Sequence, residues 1–157
     1  MCAILDANAV HEVFGRKRPE AGEQFFEWIN AGRGRLVAGG KLFKELTAGS
    51  EKFRRWSKEA VAAGRMRLEN EDRINKRTES LRRTGQYTSD DPHIIAIAQV
   101  SNARLLYSND KDLQQDFKAK TLIDSPRGKI YSTLRRNDFS SVHKQLLATR
   151  DLCRVKP

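Results

Sequence analysis

Four acidic residues stand beside short apolar runs in this chain, at positions where their carboxylates could act together. They are Asp6, Glu45, Asp91 and Asp110. The runs before Asp6 and Asp110 have the length and composition of buried strands. Open parallel sheets bind ligands just beyond the carboxyl ends of their strands. Carboxylates gathered there repel one another unless a hard cation lies between them, so this pattern predicts a divalent metal site.

The chain is strongly basic, which predicts a polyanionic partner. It has 157 residues, with 30 Lys and Arg against 20 Asp and Glu, and a formal net charge of +10. Such an excess attracts phosphate backbones in a way that depends on salt and little on sequence. The alternative is a cationic surface that serves only solubility.

Size and composition indicate one soluble domain. Charged residues make up 32% of the chain and apolar residues 38%, and no apolar run approaches the roughly 20 residues of a membrane span. The N-terminus has no secretory signal pattern. Cys2 and Cys153, near opposite ends, fit a reduced protein better than a disulfide framework. We therefore expect a cytoplasmic protein without membrane contact.

Short strands alternate with helices along the chain. Strands are predicted at residues 2–5, 36–38, 66–68, 104–107 and 121–123. Asp91-Pro92 opens the clearest helix, because Asp suits the N-cap and Pro the first helical position. The alternation predicts an α/β fold with three α/β/α layers around a mostly parallel sheet of about five short strands.

The composition changes after residue 125. Residues 127–157 contain eight basic residues against two acidic ones, which gives +6 of the net +10. We expect a main domain at residues 1–125 and a basic C-terminal extension at residues 126–157 that packs on the same domain.

Each acid also has a purely structural explanation. Asp6, Asp91 and Asp110 all precede predicted helices, where Asp is a common N-cap. Glu45 borders the apolar stripe of its helix and could simply be a surface residue. The residues Asp90 and Asp112 lie close to Asp91 and Asp110 and are second candidates for the same roles.

The ordered set of motifs resembles the PIN-domain ribonucleases, notably the toxins of type II toxin–antitoxin systems. The likeness covers about residues 1–125. Its elements are Ile4-Leu5-Asp6-Ala7-Asn8, then the helical Glu45, then Asp91 with Ile94, Ala96 and Ala98, and finally Ser108-Asn109-Asp110-Lys111-Asp112-Leu113. The resemblance implies a PIN-like nuclease domain.

The same resemblance implies a function. Asp6, Glu45, Asp91 and Asp110 would bind one or two Mg²⁺ or Mn²⁺ ions and support endoribonuclease cleavage that leaves 5′-phosphate and 3′-hydroxyl ends. Ser108 stands where the family often has Thr, and Asn8 belongs to the first motif. A toxin of this kind would have RNA as its substrate and a small antitoxin as its partner, and could form a homodimer.

Basic residues near the acids are expected to hold the RNA. The candidates are Arg16, Lys17, Arg18, Arg82 and Arg83. Two alternatives stay open: a nucleic-acid-binding module without catalysis, and a nuclease of the same fold that acts on DNA. A receiver-like phosphorylation domain fits poorly, because Asp6 has no acidic neighbour at the end of the first strand.

The remaining chemically versatile residues carry less information. His11, His93 and His143 do not cluster by spacing, and we expect structural or solvated roles for them. The apolar faces formed by Phe25, Phe26 and Ile29 and by Phe53 and Trp56 could contact an antitoxin or complete the core of this domain.

Overall fold

A five-stranded parallel sheet forms the centre of the computed structural model, which describes residues 2–148. The strands are β1 (Cys2–Leu5), β2 (Arg35–Ala38), β3 (Met66–Leu68), β4 (Leu105–Tyr107) and β5 (Lys129–Tyr131). The helices are α1 (Val10–Phe14), α2 (Glu20–Asn30), α3 (Gly40–Gly49), α4 (Glu51–Ala62), α5 (Glu71–Thr84), α6 (Pro92–Ser101), α7 (Lys111–Lys118) and α8 (Ser141–Ala148). This architecture confirms the predicted α/β class, and it is consistent with three layers.

The strand order explains where a ligand can bind. The sheet runs β3-β2-β1-β4-β5, with every neighbouring pair parallel. The chain first moves outward from β1 to β3, then crosses back to β4 on the other side of β1. The order of the strands therefore reverses between β1 and β4, and in open α/β sheets the crevice beyond such a point is the usual ligand site.

Four of the five predicted strands lie within one residue of their observed positions, and the fifth prediction is wrong. Residues 121–123 form turns, because the backbone N–H groups of Leu122 and Ile123 both donate to the carbonyl oxygen of Ala119. Ile123 is buried there, so its apolar character anchors a loop. The fifth strand is β5, which pairs with β4 through Lys129, Ile130 and Tyr131.

The segment after residue 125 packs on the rest of the domain. It supplies β5 to the sheet, and α8 contacts both α2 and β5. The hydroxyl of the buried Tyr131 donates to the carbonyl oxygen of Ala21 at 2.6 Å, which fastens β5 to α2. Residues 149–157, with Cys153, Arg150, Arg154 and Lys156, lie outside the described part of the chain, whereas Cys2 is buried in β1.

An aromatic cluster of Phe14, Phe26, Phe53 and Trp56 joins α1, α2 and α4. The ring of Phe14 meets Phe26 and Phe53 edge to face, with ring centroids 5.4 and 5.2 Å apart. Phe53 is fully buried, while Phe26 and Trp56 are half-buried against the core. These faces therefore complete the core of this domain, which favours the second of the two explanations offered for them.

Helix α6 is the most buried helix near the candidate acids. Every residue from Pro92 to Ala98 is buried, as its nearly continuous apolar sequence predicts. Within residues 2–148, no helix is both long and apolar enough to cross a bilayer.

Candidate functional site

Asp6 and Asp110 lie at the switch point between β1 and β4. Asp6 directly follows β1, and its backbone N–H donates to the carbonyl oxygen of Tyr107 at the end of β4. Ser108 links the two acids: its hydroxyl donates to Oδ2 of Asp6 at 2.7 Å and accepts from the backbone N–H of Asp110 at 3.1 Å. Ser108 is fully buried, so this bridge is shielded from water.

Asp91 is held in place by a carboxylate from another helix. The buried Asp116 of α7 accepts backbone N–H groups from Thr88 and Ser89, both at 2.8 Å. The hydroxyl of Ser89 in turn accepts the N–H of Asp91 at 3.3 Å. Asp116 thus fixes the loop that delivers Asp91 to the start of α6.

Glu45 contacts the buried His93 of α6. Oε1 of Glu45 lies 3.2 Å from Nε2 of His93. The two groups form an ion pair when His93 is protonated; burial lowers the pKa of His93, and the charges of Glu45 and Asp91 oppose that shift.

Asp91 interacts electrostatically with each of the other three carboxylates, and Asp6 also interacts with Asp110. Burial raises the pKa of Asp6 to about 6; the Ser108 hydrogen bond opposes this rise, and the charges of Asp91 and Asp110 add to it. Burial also raises the pKa of Asp91, as do the charges of Glu45 and Asp110, while His93 and Lys41 act in the opposite direction. We call Asp6, Glu45, Asp91 and Asp110 together the acidic edge.

The capping explanation holds for one of the three aspartates. Oδ1 of Asp110 accepts the backbone N–H groups of Asp112 and Leu113, at 3.0 and 3.1 Å, and so caps α7. Asp6 and Asp91 occupy N-cap positions, but neither side chain makes a cap hydrogen bond. The backbone N–H of Asn8 lowers the pKa of Asp6, although it makes no cap hydrogen bond to that side chain. Asp6 and Asp91 therefore need another explanation than capping.

The second candidates lie further from this arrangement. Asp90 and Asp112 are exposed, whereas Asp91 is half-buried beside the other acids. Asn8 is also exposed, in the short 3₁₀ segment that follows Asp6. Of these second candidates, Ser108 is the one whose side chain contacts the acidic edge.

The chemistry of the acidic edge fits a hard divalent cation. Carboxylate oxygens are the ligands that Mg²⁺ and Mn²⁺ prefer. Within residues 2–148, however, no three His, Cys, Asp or Glu side chains are placed closely enough to hold one ion. The carboxylates would have to rotate toward a common point, which repulsion between like charges opposes until a cation offsets it.

The predicted RNA-binding residues are dispersed. Arg16 and Lys17 are exposed in the loop after α1, and Arg18 donates to the carbonyl oxygen of Val13 and lies over the ring of Phe26. Arg82 and Arg83 are exposed in the last turn of α5.

Sequence reasoning missed Lys41 as a cation beside the acids. Lys41 is exposed near the start of α3 and lowers the pKa of Asp91. The available signal was its position one helical turn before Glu45, which places the two residues on the same face of α3.

A second missed feature is the network around Glu12. The carboxylate of Glu12 accepts hydrogen bonds from the hydroxyl of Tyr107 at 2.7 Å, the amide of Asn109 at 2.8 Å and the hydroxyl of Thr133 at 2.7 Å. Burial and the contact with Glu12 raise the pKa of Tyr107, which therefore stays a donor. The network holds the backbone on both sides of Ser108 in place.

No protein-family model, curated protein or solved structure matches this chain. An open parallel sheet hosts many unrelated functions. The function must therefore be argued from the residues of the acidic edge and from their surroundings.

Proposed function

We propose that this chain is a metal-dependent endoribonuclease, and that it acts in the cytoplasm as the toxin of a toxin–antitoxin pair. The observation that supports it best is the acidic edge. Asp6 is buried at the switch point of the sheet and Asp91 is half-buried; neither side chain caps a helix, and burial and neighbouring carboxylates raise the pKa of both. Retaining such a costly arrangement is typical of a functional site.

The side chains of the acidic edge would hold Mg²⁺ or Mn²⁺. A bound ion of this kind lowers the pKa of a coordinated water and offsets charge that develops on a phosphodiester. Ser108 orients the carboxylate of Asp6, and Asp116 orients the loop before Asp91. Lys41 supplies a positive charge beside the acids, where it can contact a phosphate.

The net charge supports a nucleic acid as the substrate. The chain carries +10 overall, and four of its 20 acidic residues form the acidic edge. The surface elsewhere is therefore more basic than the total indicates. Such a field draws a polyanion toward the protein and brings its phosphates within reach of the carboxylates.

The central test is cleavage by the purified full chain of total RNA and of matched single-stranded DNA. We expect RNA cleavage with Mg²⁺ or Mn²⁺, none with EDTA, and products that carry 5′-phosphate ends. Asp6→Asn and Asp91→Asn should reduce the rate by at least about 100-fold, since each removes an anionic ligand. Asp90→Asn and Asp124→Asn are matched controls on exposed aspartates and should cleave normally.

Other outcomes would identify a different function. Cleavage that survives in EDTA would end the metal hypothesis. Binding of RNA without cleavage under any metal would indicate a nucleic-acid-binding module, and preferred cleavage of DNA would indicate a DNA-directed nuclease.

The toxin role has a separate test in cells. Induced expression should arrest growth for the native chain but not for Asp6→Asn at equal protein levels. Normal growth with the active native enzyme would separate the nuclease from the toxin role. The oligomeric state of the purified chain, measured by light scattering, would show whether it forms the homodimer that the toxin family suggests.

A further inference from the structure

A groove lined by cations lies beside the acidic edge. It has a volume of about 730 Å³ and lies between α7, the residues that follow β5 and α8. Lys111, Lys118, Arg135 and Arg136 supply its positive charge, and the described residues that line it include no Asp or Glu. We call it the basic groove.

Three of these cations are free to meet a ligand. Arg136 is held by the carboxylate of Asp138 through two hydrogen bonds, at 2.8 and 2.7 Å. The side chains of Lys111, Lys118 and Arg135 are exposed, and within residues 2–148 they make no hydrogen bond or ion pair. Like charges collected without counter-charges are unfavourable, so an anionic ligand would be stabilised there.

Hydrogen bonds connect the basic groove to the acidic edge. Lys111 directly follows Asp110 in the chain. The side-chain oxygen of Asn109, on the other side of Asp110, accepts from the hydroxyl of Ser132 at 2.8 Å and from the backbone N–H of Thr133 at 3.0 Å. The loop that carries Leu134 and the two arginines is therefore tied to the residue beside a candidate metal ligand.

We propose that the basic groove binds a stretch of single-stranded RNA that continues into the acidic edge. This assignment rests on the proposed function. The free cations would contact successive phosphates, and the exposed Leu134 and Val142, 49% and 62% accessible, would contact the bases. The cations of the basic groove are not among the residues that the sequence predicted to hold RNA.

Two other occupants fit less well. Residues 149–157 carry three basic residues and one acidic residue, so this segment does not complement a cationic groove. An acidic amphipathic protein segment would match the charge. It would use apolar contacts, however, and the groove exposes two large aliphatic side chains against four cations. Charge complementarity next to a phosphodiester-cleaving site favours the RNA strand.

The test measures binding of a labelled single-stranded RNA by fluorescence anisotropy in EDTA, over a range of salt concentrations. Lys111→Gln with Arg135→Gln removes two expected phosphate contacts. The log–log salt slope should fall by about 1.4, which corresponds to roughly 25-fold weaker binding near 0.1 M salt. The matched control is Arg55→Gln with Lys58→Gln, two exposed cations on α4 near the β3 end of the sheet.

The outcomes separate this inference from the proposed function. Unchanged affinity and slope in the groove variant would overturn the groove assignment, whatever the α4 control shows and even if the enzyme cleaves RNA. So would a groove variant that binds RNA normally but no longer binds a synthetic peptide of alternating Glu and Leu. If the native chain binds RNA through the groove but does not cleave it with any metal, the groove assignment stands and the proposed function falls.

Discussion

The aromatic cluster and the acidic edge are both buried parts of one small domain, and their energetics are opposite. The cluster places Phe14, Phe26, Phe53 and Trp56 in mutual contact, so that burial and edge-to-face packing both stabilise the fold. The acidic edge withdraws carboxylates from water and places them near one another, which raises the pKa of Asp6 and of Asp91.

The difference separates a region whose contacts stabilise the fold from a region whose burial costs free energy. A buried carboxylate beside other carboxylates destabilises the folded state when it is ionised. The apolar surroundings and the network around Glu12 must offset that cost. Substitutions in the two regions should therefore change stability in opposite directions.

Phe53→Ala should cause the largest loss of stability. Phe53 is fully buried against Phe14 and Phe43, so its removal leaves a cavity in the core. We expect the free energy of unfolding to fall by about 3–5 kcal/mol. Urea denaturation followed by circular dichroism measures this change.

Phe26→Ala is the matched control for that substitution. Phe26 is half-buried at the margin of the same cluster, so its loss should cost clearly less. If both variants lost the same free energy of unfolding, the burial of a ring would not determine how much that ring stabilises the protein.

Asp6→Asn should stabilise the protein at neutral pH, in contrast to Phe53→Ala. The folded-state pKa of Asp6 is raised from 3.8 to about 6, so the folded state binds more protons than the unfolded state between these values. Stability associated with Asp6 is therefore full below pH 3.8 and is lost as the pH rises to about 6. The displacement corresponds to roughly 3 kcal/mol at pH 7 without metal. Thermal melts in EDTA should show a higher Tm for Asp6→Asn than for the native chain at pH 7. The two Tm values should agree near pH 3.5, which lies below the ordinary pKa of an aspartate, about 3.9.

Added Mg²⁺ should give the native chain a higher Tm than Asp6→Asn, since a ligand that binds only the folded state stabilises it. The native chain should gain more in Tm than Asp6→Asn does. Asp90→Asn, an exposed neighbour of the site, should follow the native chain at every pH. A lower Tm for Asp6→Asn at pH 7 in EDTA would contradict the assignment of Asp6 as an electrostatically costly residue.

Asp116→Asn should have an intermediate effect on stability and a clear effect on cleavage. The amide retains one acceptor for two backbone N–H groups, those of Thr88 and Ser89. A lost charge-assisted hydrogen bond in a buried site costs roughly 1–3 kcal/mol. The loop before Asp91 should loosen, so kcat should fall while KM changes little. Asp112→Asn, at an exposed acid in the first turn of the same helix, should lower stability by less than about 1 kcal/mol and leave kcat unchanged.

The sequence predicted those parts of the fold that depend on local pattern. Buried parallel strands are continuous apolar runs, and this pattern located β1, β2, β3 and β4. It failed at residues 121–123, because the apolar residues Leu122 and Ile123 belong to a turn, in which Ile123 is buried. A short apolar run does not distinguish an anchored turn from a strand.

The candidate site was predictable to the extent that it follows the ends of strands. Asp6 and Asp110 were placed correctly beside each other, because parallel strands end at one edge. The support from Asp116 and Glu12 depends on contacts between segments far apart in the chain, 27 residues for Asp116 and Ser89 and 121 for Glu12 and Thr133. No local spacing encodes such contacts, and the same holds for the basic groove.

Trp56→Phe should have the smallest effect and should separate packing from hydrogen bonding within the aromatic cluster. The indole Nε1–H of Trp56 donates to the side-chain oxygen of Asn30 at 3.1 Å, and its rings lie 5.2 Å from Phe14. Phenylalanine keeps most of the ring contact and loses the donor. We expect a loss of about 1 kcal/mol, the usual net value of one hydrogen bond. A double-mutant cycle with Asn30→Ala should give a coupling energy of similar size. A coupling near zero would show that the half-buried margin of this cluster is stabilised by ring packing and not by this hydrogen bond.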